Sequence, residues 1–306
     1  MEKLTAFMRL VRWQNLLFIV LTQVLFYFCV YKALYKDPEP VNTLLWIVLA
    51  SVLIAAAGYI INDYFDLNID QINKPGKNVI NKIISRRWAI ILHLLLSSLG
   101  ILATALAVSL SKWYLILANL LCVFLLWQYS TSFKRQLLIG NIVISFLTAW
   151  TVLIIFFIKV PFSEAFGAEN PLTLRFFRIA YLYAGFAFII SLVRETIKDV
   201  EDREGDARYG CRTLPIVAGV LATKIYIAVW LVVLIAALVL LQLYILQLRW
   251  VWAVLYSSFF IILPLVYFFY LLYKAKAVSQ FAYLSSFSKW IMLTGILSLI
   301  FFRLYF

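Results

Sequence analysis

The feature that most constrains this chain is a repeated one. Along its 306 residues, apolar runs of about twenty residues recur nine times, at roughly 13–34, 43–62, 87–109, 112–130, 137–158, 175–193, 223–246, 250–273 and 286–304. A hydrocarbon core of about 30 Å is crossed by around 20 residues of helix. Within lipid, a helix satisfies every backbone amide inside its own segment, so each run is predicted to span the membrane as a helix. Composition agrees, with 65% hydrophobic and 13% charged residues where a soluble domain carries roughly 25% charged. A soluble enzyme, a disordered chain and a secreted disulfide scaffold are excluded. The expected fold is all-α: a polytopic membrane protein of nine transmembrane helices, with residues 1–306 as a single transmembrane domain. No small-residue cleavage site follows a short apolar stretch at Met1-Glu2-Lys3-Leu4, so no signal peptide is expected.

Lysine and arginine set the expected orientation. With nine spans, the N-terminus and the loops after the second, fourth, sixth and eighth share one side. That side collects 19 of the 27 basic residues. The N-terminus and the long loops at 63–86 and 194–222 are therefore expected to face the cytoplasm, from a chain seated in the cell (inner) membrane.

Acids carry the chemical information. Of 14 in the chain, nine fall in two short stretches. The first contains Asp63, Asp66 and Asp70, and the second contains Asp199, Asp202 and Asp206. Both read D-x-x-D-x-x-x-D, and each member of the second lies 136 residues after its counterpart. The two copies close the second and sixth spans on the same predicted side, and an internal duplication explains them economically. Steps of three and four keep side chains on one helical face. Each copy should present three carboxylates along about two turns, and Asn62 joins the first stripe. Like charges so arranged repel, and hard oxygen donors suit Mg²⁺, which takes one or two carboxylates and completes its shell with water and substrate phosphate. Asn62, Asp63, Asp66, Asp70, Asp199, Asp202 and Asp206 form the candidate metal set. Asp66, Asp70, Asp202 and Asp206 are the candidates for catalysis.

Basic residues accompany both copies. Lys77 follows the first in Asn73-Lys74-Pro75-Gly76-Lys77-Asn78, Arg194 and Lys198 thread the second, and Lys134 and Arg135 stand after the fourth span. Carboxylates beside cations are what a metal–diphosphate site needs, because Lys and Arg neutralise the phosphate charge the metal leaves. Lys77, Lys134, Arg135, Arg194 and Lys198 are the candidate diphosphate ligands. Cys29, Cys122 and Cys211 show no metal spacing. His93, the one histidine, lies inside an apolar run and is expected to be structural.

These residues carry a resemblance. Asn62-Asp63-x-x-Asp66-x-x-x-Asp70, Asp199-x-x-Asp202-x-x-x-Asp206 and nine spans resemble the UbiA superfamily of intramembrane prenyltransferases. Arg194-Glu195-x-x-Lys198-Asp199-x-Glu201-Asp202-x-x-Gly205-Asp206, with Tyr129-Ser130 through Lys134-Arg135 and then Gly140-Asn141, is most similar to its geranylgeranylglyceryl phosphate geranylgeranyltransferase branch. The resemblance implies nine helices around a central cavity and Mg²⁺-dependent transfer of a polyprenyl group from its diphosphate to a hydrophobic acceptor within the bilayer, with no nucleic acid involved. It also implies that Asn15, in Arg12-Trp13-Gln14-Asn15, lines the acceptor pocket. Tyr129 offers an aromatic wall to a cationic allylic fragment. The family commonly has x-Arg-Pro-Ile where this chain has Gly76-Lys77-Asn78-Val79-Ile80.

The best match is transfer of geranylgeranyl to geranylgeranylglyceryl phosphate. Lys198 stands where aromatic-acceptor members commonly have Tyr, and at i, i+4 it can pair with Asp202 or reach forward to an acceptor phosphate. Prenylation of a quinone precursor such as 4-hydroxybenzoate or dihydroxynaphthoate is the alternative. A transporter, or a non-catalytic lipid-binding protein, is the reading from a different class.

Overall fold

A computed structural model describes residues 2–36, 39–73, 80, 84–165, 167 and 170–306. Among these, nine helices are long and apolar enough to cross a membrane. A short helix α1 (Glu2–Leu10) precedes the first span. The spans are α2 (Trp13–Leu34), α3 (Val41–Phe65), α5 (Arg86–Ala107), α6 (Leu110–Thr131), α7 (Ile139–Lys159), α8 (Pro171–Glu201), α10 (Gly219–Gln247), α11 (Val251–Lys274) and α12 (Val278–Tyr305). Two short helices, α4 (Leu67–Asn73) and α9 (Arg203–Arg208), follow α3 and α8. The described residues contain no strand, and the one bridge joins Ile80 to Ile84.

The largest departures from the apolar runs come at α8 and α12. α8 continues through Arg194–Glu201, where hydropathy falls but Glu, Lys and Arg remain good helix formers. α12 begins at Val278 rather than near 286. Two spans carry π-helical turns, at Phe26–Tyr31 and Ser258–Ile262.

Within the bundle, α3 packs on α5 and α6, α7 on α8, and α8 on α12. The outward faces are apolar, as lipid requires: Leu221, Ile225, Val229, Leu240 and Leu243 of α10 are all exposed. At the end away from the aspartate motifs, an aromatic cluster closes the bundle. Phe176 lies 5.2 Å from Phe156, 5.4 Å from Tyr31 and 5.8 Å from Phe26, ring centre to ring centre. Lys112 and Glu39 pair nearby at 2.7 Å.

Polar side chains inside the bundle find one another. Gln23 donates to Ser51 Oγ at 2.8 Å, and Asn119 donates to Thr104 Oγ1 at 2.8 Å while accepting from the Trp150 indole at 3.2 Å. Such bonds satisfy groups that lipid would leave stranded. His93 is buried with its Nδ1 3.0 Å from the Ala57 carbonyl, a packing role.

Candidate active site

The helices enclose a cavity of about 810 Å³, toward the upper end of volumes that bury small molecules. Its wall changes character along its length. Asn62, Asp63, Asp66, Asp70, Asp199, Asp202 and Asp206 stand at one end, and the rest is mostly apolar, with Phe26, Trp150, Val152, Tyr183 and Leu299 beside a few polar groups such as Thr22, Ser51 and Asn119. Sequence positions 136 apart therefore face one space. Asn15, Tyr129, Lys134, Arg194 and Lys198 line it as well. Arg135 is exposed and off the cavity wall, its backbone carbonyl accepting from the Arg212 amide at 2.7 Å. Lys77 lies outside the described residues.

Both aspartate copies share a backbone irregularity. Asp66 ends α3 with φ −89° and ψ −1°, and Asp202 ends α8 with φ −91° and ψ 3°. These values fall in the sparsely used bridge region. The expectation of one unbroken helical stripe is corrected here: each helix is interrupted at its middle aspartate, and the third aspartate sits on the short helix beyond. The ladder carries across, since the Asp70 amide donates to the Asp66 carbonyl at 2.8 Å and the Asp206 amide to the Asp202 carbonyl at 3.2 Å. Asp, whose short side chain competes for nearby backbone groups, is suited to such a position.

Partners of the carboxylates come from distant helices. Asn62 donates to Asp66 Oδ2 at 2.8 Å, and Lys134 ion-pairs with Asp66 Oδ1. Lys134 is held there by its own loop. A Cβ on Gly140 would fall 2.8 Å from Lys134 Cα, so glycine lets the loop rest against the start of α7. One residue on, Asn141 donates to Asp199 Oδ2 at 2.8 Å. Asp63 is engaged by Arg12 at 2.7 Å.

Arg12 sits at the junction of α1 and α2 with φ 52° and ψ 53°, a left-handed conformation that costs an L-residue roughly 1–2 kcal/mol. Its side chain makes no cap and crosses to Asp63, with the guanidinium 5.0 Å from the centre of the Tyr59 ring. Burial works against the Arg12 charge, but the Asp63 carboxylate, Tyr59 and Tyr129 together outweigh that and raise the pKa. Cys211 also lines the cavity, its thiol pushed up to about 11 by burial and by Asp206.

Glu195 was missed in the sequence. It is buried, with Arg194 on one oxygen at 2.6 Å and Lys198 on the other at 2.9 Å. Lys198 thus pairs backward along its helix, not forward to Asp202. Arg12, Asn141 and Lys289 were likewise not singled out as site residues. Their sequence neighbourhoods hold no signal comparable to the aspartate repeat, and their roles depend on which helices touch.

Among the described residues, no three acidic, His or Cys side chains converge to cage a metal. The oxygen-only chemistry of the aspartates nevertheless fits Mg²⁺, which relies on one or two carboxylates, water and substrate phosphates in place of a closed protein cage.

Fold and site define a polytopic helical membrane protein with an intramembrane cavity, apolar within and carboxylate-lined at one end. The UbiA prenyltransferase family model matches residues 13–301, and the chain belongs to that family. Its relatives include the digeranylgeranylglyceryl phosphate synthase of Pyrococcus horikoshii, 34% identical over 185 residues that make up 60% of either chain. That of Haloquadratum walsbyi is 36% identical over 193 residues, 63% of this chain and 62% of the relative. The matched region thus spans about three fifths of these relatives' length. A solved structure concerning digeranylgeranylglyceryl phosphate synthase in membranes superposes with a TM-score of 0.62 at 23% identity, covering 98% of this chain and 99% of that one. A UbiA homologue from Archaeoglobus fulgidus bound to DMAPP and Mg²⁺ gives 0.59 at 17% identity, covering 96% and 98%. At these identities the superpositions establish the fold.

Proposed function

We propose that the chain transfers a geranylgeranyl group from its diphosphate to a hydroxyl of a phosphate-bearing glycerol lipid, geranylgeranylglyceryl phosphate, at the cytoplasmic face of the cell membrane. The observation that carries the reading is the meeting of two D-x-x-D-x-x-x-D copies at one end of one cavity, with Lys134 paired to Asp66 of the first copy. The names of the curated relatives support the acceptor.

Asn62, Asp66 and Asp70 from one copy, with Asp199, Asp202 and Asp206 from the other, are the residues to hold Mg²⁺. When bound, the metal supplies neutralisation of the negative charge that builds on the diphosphate as the allylic C–O bond lengthens. Lys134 contributes a further positive charge toward the leaving group. Asn62 and Asn141 orient Asp66 and Asp199 by donating to them. Tyr129 faces the same space and offers a π surface to the allylic carbon as it gains positive charge. The apolar length of the cavity receives the prenyl chain and excludes water, which would otherwise compete with the acceptor. The acceptor oxygen forms its bond to C1 of the prenyl group as the bond to diphosphate breaks. Its proton passes to a carboxylate or to the departing diphosphate. His93 is absent from the cavity wall and takes no part.

The test is incubation of purified protein with labelled geranylgeranyl diphosphate and a panel of acceptors, with Mg²⁺ and with EDTA. Mg²⁺-dependent diphosphate release coupled to a digeranylgeranylglyceryl phosphate product is expected. Transfer to 4-hydroxybenzoate alone would overturn the acceptor, and no diphosphate release with any acceptor would overturn the activity.

A further inference from the structure

The acids of the cavity are shared unevenly among its basic side chains. Arg12 is answered by Asp63 at 2.7 Å. Arg194 and Lys198 share one carboxylate, Glu195, whose two oxygens are each taken. Lys289 enters the same cavity from α12, the helix packed on α8, and among the described residues it has neither ion pair nor hydrogen bond. Three cations, Arg194, Lys198 and Arg12, and one acid, Glu195, are the charges it feels. Nearby, the Arg194 Nε–H is buried with no acceptor among the described residues.

An ammonium inside a membrane bundle is costly, and it ordinarily faces a partner or a functional cavity. Here one cation is in excess at Glu195 and a second at Lys289. That excess matches the charge of a phosphomonoester, about −1.5 to −2 at neutral pH. The unfilled donors match its oxygens, since a phosphate offers several strong acceptors to Lys and Arg.

We infer that Lys289, with Arg194 and Lys198, forms the subsite for the phosphate of the lipid acceptor, built from different side chains than the Lys134–Asp66 pair at the aspartates. The inference rests on the prenyl-transfer reading above and specifies where its acceptor is recognised. Lys289 is thereby a specificity-determining residue. It selects acceptors bearing a phosphate, while the aspartates and Lys134 serve the donor.

The experiment compares wild type, Lys289→Met and Lys289→Arg in detergent, each checked for an unchanged thermal unfolding midpoint. Binding of geranylgeranylglyceryl phosphate, its phosphate-free counterpart geranylgeranylglycerol, inorganic phosphate and geranylgeranyl diphosphate is measured directly, alongside steady-state kinetics. Loss of a charge-assisted bond should weaken the phosphate acceptor about 10- to 100-fold in Lys289→Met, in Kd and in KM, with recovery in Lys289→Arg. Affinity for geranylgeranyl diphosphate and for geranylgeranylglycerol should stay within about twofold, the ordinary spread for a residue that does not touch them. Inorganic phosphate should displace the lipid acceptor and not the donor. Equal weakening of donor and acceptor would assign Lys289 to the diphosphate and overturn the inference while leaving the transferase reading intact. Unchanged acceptor binding in Lys289→Met would also overturn it. Should the wild type bind no phosphate acceptor yet prenylate an aromatic acid, the inference and the lipid acceptor fall together while prenyl transfer stands.

Discussion

The Gly205 amide donates a hydrogen bond to Asn73 Oδ1 at 2.8 Å. This bond ties α9, the short helix beyond the second aspartate motif, to α4, its counterpart beyond the first. The third aspartates, Asp70 and Asp206, ride on those two helices. The contact therefore sets the separation between the two halves of the site. A Cβ at position 205 would lie 2.4 Å from Asn73 Oδ1.

Gly205→Ala should consequently part α4 from α9. Overpacking of this kind costs about 1–3 kcal/mol, and turnover should fall more steeply than stability because the aspartates move with the helices. Asn73→Ala removes the acceptor without the clash and should be milder. In the double variant the two effects should be less than additive, as for residues in direct contact. Thermal unfolding and kcat on the four proteins decide it, and strict additivity would show that the contact does not couple the halves.

Asp66→Ala, Asp70→Ala, Asp202→Ala and Asp206→Ala should each lower turnover by about 10²-fold or more, the scale of losing a main stabiliser of developing charge. Folding in detergent should survive. EDTA should stop the wild-type reaction, and added Mg²⁺ should restore it. Near-normal rates in two of the four variants would remove the metal assignment.

Gly140→Ala tests how Lys134 is positioned. The new methyl would meet backbone atoms, Lys134 Cα at 2.8 Å and the Phe133 carbonyl oxygen at 3.0 Å, which cannot rotate away. The loop should be displaced at a cost of about 1–3 kcal/mol, separating Lys134 from Asp66 and raising KM for the prenyl diphosphate. A variant with wild-type stability and donor KM would show that the close approach is dispensable.

Sidedness can be read with an impermeant maleimide. Cysteines introduced at the exposed Asn68 and Glu204 should be labelled from one face, the cytoplasmic one, and a cysteine at Gly167 from the other. The native background should be low, because Cys29, Cys122 and Cys211 are buried. The Cys211 thiol, pushed up to about 11 by burial and by Asp206, stays protonated and unreactive at pH 7.5 and gains thiolate only as pH rises toward that value. Labelling of 68 and 204 from opposite faces would contradict a single site.

Several properties are legible in one dimension. Spans are set by the thickness of lipid, so run length alone places nine helices, at bounds within a few residues except at α8 and α12. The aspartate repeat is legible because acids are scarce and its spacing is local to one short stretch of chain in each copy. What required the tertiary structure is every relation between helices, and the breaks and side-chain choices that packing imposes within them. The interruptions at Asp66 and Asp202, the turn of Lys198 toward Glu195, the reach of Arg12 to Asp63 and of Asn141 to Asp199, the Gly205–Asn73 contact and the arrival of Lys289 from α12 were decided there. The physical reason is one of range. Hydrophobic length and helical period act between residues a few positions apart, whereas a carboxylate takes its partner from whichever helix packing brings within about 3 Å, and in this chain those partners are separated by 51, 58 and 68 positions.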